Sequence, residues 1–118
     1  MAQSMHIAVE ELAERATKIV LQGRFDTTGA VLIELPFNAV MTEKRAIVVD
    51  LSAVNFLSSY GIRMLLVGAK IATGKGSKLA ILCPDDNTIV AKVLKTARIG
   101  DLIPVFQSED AAVAAVIS

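Results

Sequence analysis

Two adjacent serines, Ser58 and Ser59, are the residues best placed to do chemistry in this sequence. They stand between an apolar, β-branched run at residues 47–51, typical of a buried strand, and residues that repeat with helical spacing from Ile62 onward. The sequence therefore predicts that a helix begins here, with Ser58 as its N-cap and Ser59 at or just inside its first turn. Unpaired backbone N–H groups and the helix dipole favour negative charge there, so Ser59 is suited to carry a phosphate. The competing interpretation is a serine that only caps the helix.

A phosphate on Ser59 would act on a partner rather than on the fold. It adds about −1.5 to −2 charges and three acceptor oxygens, and at a helix N-terminus it stabilises the helix by roughly 0.3 to 1 kcal/mol. A protein surface docked over Ser59 would instead have to bury a dianion without a countercharge, which costs on the order of 3 to 5 kcal/mol. Such a cost corresponds to roughly two to four decades in affinity, which is enough for a switch.

Other chemistry has little support in the sequence. Nucleophilic catalysis needs a neighbouring base, but the only histidine, His6, falls on the first predicted strand, and Cys83, the only cysteine, is most simply a small buried hydrophobe. One His and one Cys assemble neither a metal site nor a disulfide. The run from Gly74 to Lys78 fails the spacing of a phosphate-binding loop, which leaves direct nucleotide binding unsupported and indicates a helix-to-strand turn. We therefore expect no enzymatic activity, no catalytic residue, no cofactor and no metal.

The first half of the chain contains one well-marked pair of elements and one difficult segment. Residues 6–10 and 17–23 are predicted strands whose separation suits an antiparallel hairpin, although residues 12–15 are also compatible with a helical turn. Asp26 then opens a plausible helix N-cap cluster. Residues 30–41 combine an apolar run that would suit a strand with Pro36, which breaks or kinks helices. The order of the neighbouring elements favours a kinked helix or two short helical pieces.

Strands and helices alternate through the rest of the chain. The predicted elements are a buried strand at 47–51, a loop to Ser58, a helix closing at Gly74, a strand at 78–83, a helix at 89–97, a short edge strand at 102–106 containing Pro104, and an Ala-rich helix at 111–117 capped by Ser108. This alternation predicts an α/β fold with a mixed sheet of four to five strands, parallel in its centre, and about four helices. The loops at residues 52–59 and 84–87 should therefore open on one side of the sheet.

The composition narrows the class of protein. The 118 residues are 53% hydrophobic and carry twelve basic and twelve acidic side chains. These values predict one domain over residues 1–118, with no general attraction to nucleic acid or membranes. The N-terminus lacks the charged and apolar regions of a signal peptide, and no apolar run approaches the roughly 18 residues that span a bilayer. We expect a cytoplasmic protein with no membrane insertion.

The same residues carry a resemblance to a known family. The pattern Asp50-Leu51-Ser52-x-Val54-x-Phe56-Leu57-x-Ser59-x-Gly61-Ile62 resembles the signature of STAS domains of the bacterial anti-sigma factor antagonist type. The run Gly23-Arg24-Phe25-Asp26 resembles that family's other landmark, and the resemblance spans nearly the whole chain. It implies a STAS-like fold. In the family, the serine that matches Ser59 is phosphorylated by a partner kinase that is also the anti-sigma factor.

The resemblance implies a partner-switching function. Unphosphorylated, the chain would bind a serine-kinase anti-sigma factor, and it would be released once that partner phosphorylates Ser59; a phosphatase is left open as a further partner. The resemblance places Asp26 near Ser59. The residue pattern alone indicates that Asp26 is a helix cap. Tyr60 and Arg63 are expected beside Ser59 on the exposed first turn. The predicted partner-binding residues are thus Asp26, Ser58, Ser59, Tyr60 and Arg63.

Two residues next to Ser59 depart from the family pattern. Ser58 stands where an acidic residue is usual, and Tyr60 stands where a small hydroxyl residue is usual. These departures motivate a second hypothesis, in which the chain is a STAS interaction module of a transporter-associated or stressosome-like complex and Ser59 is never modified.

Overall fold

The computed structural model describes residues 5–13 and 15–118, so the expectation about a signal peptide concerns a segment that lies largely outside the described residues. Within them the chain forms five strands and four α-helices. The strands are β1 (His6–Glu11), β2 (Thr17–Phe25), β3 (Ala46–Leu57), β4 (Lys78–Leu82) and β5 (Val105–Phe106). The helices are α1 (Thr27–Glu43), α2 (Ser59–Gly74), α3 (Thr88–Thr96) and α4 (Glu109–Ile117), with a 3-10 turn at Ile99–Asp101.

The strands form one mixed sheet in the order β1-β2-β3-β4-β5. β1 pairs antiparallel with β2, and the other neighbours pair in parallel. The predicted α/β class, N-terminal hairpin and parallel centre are therefore confirmed. In the hairpin connection the amide of Leu12 donates to the carbonyl of Ala16 at 2.8 Å, closing a loop, although residue 14 lies outside the described part. Pro104, predicted at an edge, immediately precedes the edge strand β5.

Helices cover the two faces of the sheet unequally. α1, α2 and α3 bury residues such as Phe37, Leu65 and Leu94 against one face, together with the inward side chains of the strands. α4 packs on the opposite face, where Val113 and Val116 lie among a smaller cluster that includes Val48. Parallel strands buried on both faces explain why the run at residues 47–51 is apolar without alternation.

The loop predicted at residues 52–57 is wrong, because these residues are the second half of β3. β2 stays paired with β3 as far as Phe25 and Leu57, and the register shifts twice along the way. β3 therefore carries an extra residue at each of two bulges, and a bulge accommodates a polar residue without ending the strand. Ser52 and Asn55, the polar residues that suggest a loop, lie at these two bulges.

α1 is a single helix, so the alternative of two short helical pieces is wrong. Pro36 lies inside it and removes one backbone donor, which frees the carbonyl of Leu32 one turn earlier. Leu32 and Pro36 are both exposed, so water can satisfy that carbonyl. The exposed position therefore explains why α1 continues through Pro36, since the same carbonyl in a buried position would lack a hydrogen-bond partner.

The last predicted strand is shorter than expected. The pattern at residues 102–106 predicts five strand residues, but the strand contains only Val105–Phe106. The amides of Leu102 and Ile103 both donate to the carbonyl of Ile99, at 2.9 and 2.8 Å, which curls the backbone away from the sheet. Ile103 nevertheless enters the core at 1% exposure, so its apolar character reflects burial and not strand pairing.

Candidate functional site

Two helices begin side by side at the edge where β2 and β3 end. Phe25, the last residue of β2, lies opposite Leu57, the last residue of β3. The next residue of each strand caps a helix: Asp26 is the N-cap of α1 and Ser58 is the N-cap of α2. The proximity of Asp26 to the serine pair, which the resemblance implied, thus follows from parallel strands that end at the same level.

Ser58 holds the start of α2 onto the end of β2. Its hydroxyl accepts a hydrogen bond from the amide of Gly61 at 3.2 Å and donates to the carbonyl of Phe25 at 3.1 Å. Its own amide also donates to the carbonyl of Phe25, at 2.9 Å. The predicted capping role of Ser58 is confirmed, and its hydroxyl is committed to the scaffold.

Ser59 is the first residue of α2 and is exposed to solvent. Its hydroxyl makes no hydrogen bond to the described residues. A group attached to this oxygen would extend into solvent without displacing a cap. The positive end of the helix dipole lies directly beneath it.

Gly61 lets α2 lie close to the end of β2. A Cβ atom built on Gly61 would be 2.8 Å from Cδ1 of Leu57 and 2.9 Å from the carbonyl oxygen of Phe25. Gly29 is under the same restriction at the start of α1, where a Cβ would be 2.3 Å from the carbonyl oxygen of Arg24. Both helix starts therefore need glycine for steric reasons, which the sequence pattern alone did not indicate.

Asp26 is anchored as a helix cap and ion-paired at the same time. Its Oδ1 accepts from the amide of Gly29 at 2.8 Å, and its Oδ2 accepts from Nε of Arg24 at 3.0 Å. The hydrogen bond from Gly29, followed by the contact with Arg24, lowers the pKa of the Asp26 carboxyl from its ordinary value. The Arg24 guanidinium also lies over the Phe56 ring, 3.8 Å from its centroid. Asp26 is therefore a fixed negative charge beside the serines.

Tyr60 and Arg63 lie on the exposed first turns of α2, as predicted. Tyr60 is 47% exposed, which makes it a prominent side chain next to Ser59. Both residues line a groove of about 130 Å³ between α1 and α2. The site residues predicted from the sequence thus share one edge of the fold, but their role in partner binding stays a prediction.

Asn87 is a structural residue of this edge that sequence reasoning missed. β4 ends beside Asp50 of β3, so the second half of β3 has no strand neighbour on that side. The side-chain amide of Asn87 takes that place, donating to the carbonyls of Leu51 at 3.0 Å and Val54 at 2.8 Å. Its Oδ1 accepts from the amide of Val90 at 3.3 Å and so caps α3. An Asn ahead of a helical pattern indicates a cap, but its second role depends on strand register.

The residues considered for other chemistry remain apart from this edge. His6 is exposed on β1, while Cys83 is buried after β4, and that burial raises the pKa of its thiol. Lys75 and Gly76 form the predicted turn between α2 and β4, where the amide of Gly76 donates to the carbonyl of Thr73 at 3.0 Å. In the described part of the chain, no three potential metal ligands cluster together.

No helix among those residues is long and apolar enough to span a membrane.

Comparison with known proteins supplies both a family and structural relatives. The family model described as the STAS domain matches residues 5–112. A comparison with curated protein sequences finds no match. Among solved structures, an anti-sigma factor antagonist from Mycobacterium paratuberculosis is similar, with a TM-score of 0.87 and 23% identity over 97% of this chain and 95% of that chain.

Two further structures have the same fold. A STAS domain protein from Planctomyces limnophilus aligns with a TM-score of 0.77 and 22% identity, covering 93% of this chain and 96% of the other. The Bacillus cell fate determinant SpoIIAA in its phosphorylated form aligns with a TM-score of 0.66 and 17% identity, covering 90% and 96%. At such identities the likeness establishes the fold alone.

Proposed function

Because the chain belongs to the STAS domain family, we propose that it is an anti-sigma factor antagonist that works by partner switching. In its unphosphorylated form it binds a serine-kinase anti-sigma factor, and phosphorylation of Ser59 by that partner releases it. The whole of residues 1–118 acts as one cytoplasmic STAS domain, without a cofactor and without enzymatic activity of its own. Similar structures that bear the name anti-sigma factor antagonist support this assignment.

The position of Ser59 carries the proposal. Ser58 caps α2, so the hydroxyl of Ser59 is free to be modified at an exposed helix start. A phosphate there meets the positive end of the helix dipole and costs the fold little. A partner that covers the same surface has to bury about two negative charges next to Asp26, which is already ionised. Phosphorylation of Ser59 therefore destabilises the complex and leaves the fold nearly unchanged in stability.

The contact surface of the partner is assigned to the first turn of α2 and the cap of α1. Tyr60 and Arg63 offer an aromatic ring and a guanidinium beside Ser59, and these side-chain types are common in protein interfaces. Asp26 contributes a negative charge that helps a kinase partner to position its catalytic groups. Ser58 takes part through its place beside Ser59, because its hydroxyl and its backbone amide are already bonded to Phe25.

Phosphorylation is tested by mass. The purified chain is incubated with ATP and an extract of its source cells, and then analysed by intact mass and peptide mapping. We expect one added phosphoryl group, about 80 Da, on Ser59. Ser59→Ala should abolish the addition, whereas Ser108→Ala, at the start of α4, should retain it because that serine lies at another helix. A phosphate on another residue of the wild type, or none, contradicts the proposal.

Release is tested by capture. Immobilised Ser59→Ala and Ser59→Asp variants are exposed to the same extract, and bound proteins are identified by mass spectrometry. We expect Ser59→Ala to retain a protein with a kinase-type ATP-binding domain, and Ser59→Asp to retain at least about tenfold less of it. Equal retention by the two variants would remove the support for switching by charge.

A second candidate function is a STAS interaction module whose Ser59 is never modified. The residues on either side of Ser59 favour it, because Ser58 and the exposed Tyr60 depart from the pattern of the phosphorylated family members. This function predicts that the chain co-purifies with a transport ATPase or a large scaffold complex. It also predicts that the mass remains unchanged after incubation with extract and ATP.

A further inference from the structure

The outer face of α1 exposes more apolar surface than a solvated helix needs. Leu35 is 84% exposed, Val31 is 62% exposed and Leu32 is 53% exposed. The inner face of α1 is apolar as well, since Ile33 and Phe37 are in the core. A helix that is apolar on both sides is normally covered on both sides, and a contiguous apolar patch typically marks an interaction surface.

The apolar surface continues from α1 across the groove to α2. Val31 lines the α1 wall of this groove, and Tyr60 and Val67 line the α2 wall. Asn38 lies at the same groove, and its Oδ1 atom is buried without a hydrogen-bond partner among the described residues. Buried polar atoms are almost always paired, so an occupant of this groove that carries a hydrogen-bond donor would satisfy this acceptor.

The two walls carry opposite charges at matching positions. Glu34 lies on the α1 wall and Arg63 lies on the α2 wall, and no ion pair joins them. A two-fold axis running along the groove would place α1 of each copy over α2 of the other. Glu34 would then face Arg63 of the second copy, and the reverse pair would form by symmetry. A partner with a single sign of charge would match only one wall.

We propose that the face formed by α1 and α2 binds a second copy of this chain in a symmetric dimer. Leu35 and Val31 of one copy pack against Val67 and Tyr60 of the other, and reciprocal Glu34–Arg63 pairs fix the register. The groove is thereby filled from the second copy. The dimer does not require phosphorylation of Ser59, and it is tested on the purified chain alone. It covers Tyr60 and Arg63, which the function proposed above assigns to the partner, so the dimer and that complex compete for these two residues.

Association is tested by sedimentation equilibrium across a concentration series from about 1 to 500 μM. We expect the mass of the wild type to rise from that of the monomer to twice that value. Leu35→Glu should weaken association at least about 100-fold, because it places a carboxylate in the apolar centre of the interface. Ile89→Glu is the matched control: Ile89 is an exposed apolar residue on α3, 59% exposed, and its replacement should leave association unchanged.

A charge exchange tests the symmetry. Glu34→Arg and Arg63→Glu should each weaken association about tenfold, and the double exchange should restore it to within about threefold of the wild type. Far-ultraviolet circular dichroism and thermal unfolding confirm that every variant is folded. A wild type that remains monomeric throughout, a dimer that resists Leu35→Glu, or a double exchange that fails to restore association would each overturn the proposal.

Discussion

The amide and the hydroxyl of Ser58 both donate to the carbonyl oxygen of Phe25, at 2.9 and 3.1 Å. One backbone acceptor at the end of β2 therefore holds the beginning of α2. The same hydroxyl also accepts from the amide of Gly61. The edge that presents Ser59 is thus held by its neighbour in sequence.

Replacing Ser58 should destabilise the protein more than replacing Ser59. Ser58→Ala removes the cap of α2 and a hydrogen bond to β2, which is expected to lower the free energy of unfolding by about 1 to 2 kcal/mol. Ser59→Ala removes an exposed hydroxyl that bonds to none of the described residues, and should change the free energy of unfolding by less than about 0.5 kcal/mol. Urea unfolding monitored by circular dichroism measures both, and equal effects would contradict the assignment of the cap.

Two glycines of α2 should respond in opposite directions to the same substitution. Gly61→Ala forces a methyl group against Leu57 and the Phe25 carbonyl, and should cost about 1 to 3 kcal/mol. Gly74→Ala, at the other end of the helix, meets nothing within 4 Å and should be neutral or stabilising by up to about 1 kcal/mol. Thermal unfolding of the two variants provides the comparison, and a harmless Gly61→Ala would show that the helix start is looser than described.

Asn87 should be one of the most sensitive polar positions. Asn87→Ala leaves the carbonyls of Leu51 and Val54 without their side-chain donor and uncaps α3, which together should cost about 2 to 4 kcal/mol. Asn87→Asp keeps the acceptor that caps α3 but replaces the donor by a second acceptor, so it should not recover this loss at neutral pH. Chemical unfolding tests both variants, and a fully stable Asn87→Asp would mean that the cap alone matters.

Asp26 should contribute to stability in a way that depends on pH. Its pKa is lowered in the folded protein, chiefly by the hydrogen bond from Gly29. The contribution is therefore present above the ordinary value of 3.8 and is lost as the pH falls through the folded-state pKa. Asp26→Asn removes the ionisable group, so the stability gap to the wild type should be constant above about pH 5 and shrink in acid. A gap that does not change between neutral and acidic pH would contradict this sign.

The sequence predicts the architecture well where local pattern and tertiary environment agree. The apolar run at residues 47–51 is a strand buried on both faces, and Ser58 sits where its cap preference puts it. The prediction from sequence is wrong where pairing with a distant strand determines the secondary structure. Residues 52–57 look like a loop because Ser52 and Asn55 suit one, but the continued pairing with β2 keeps them in a strand. Such pairing is not encoded within the segment itself.

The same distinction explains which site features were missed. The exposure of Ser59 follows from helix spacing, but the second role of Asn87 requires that β4 end before β3 does, a difference in strand length between separate parts of the chain. At Ile103 a turn is mistaken for a strand: its apolar character predicts a strand, whereas its backbone follows the turn after α3. Residue type indicates burial more reliably than it indicates hydrogen-bonding partners.

At the start of α2 the hydroxyl of Ser58 makes the structural hydrogen bonds, and the hydroxyl of Ser59 is the one exposed to solvent. Since Ser58, and not Ser59, bonds the start of α2 to β2, a covalent change at Ser59 would leave these hydrogen bonds intact. A phosphorylated form would then differ from the unmodified one in surface charge and not in fold, so only a protein that contacts this surface would distinguish the two.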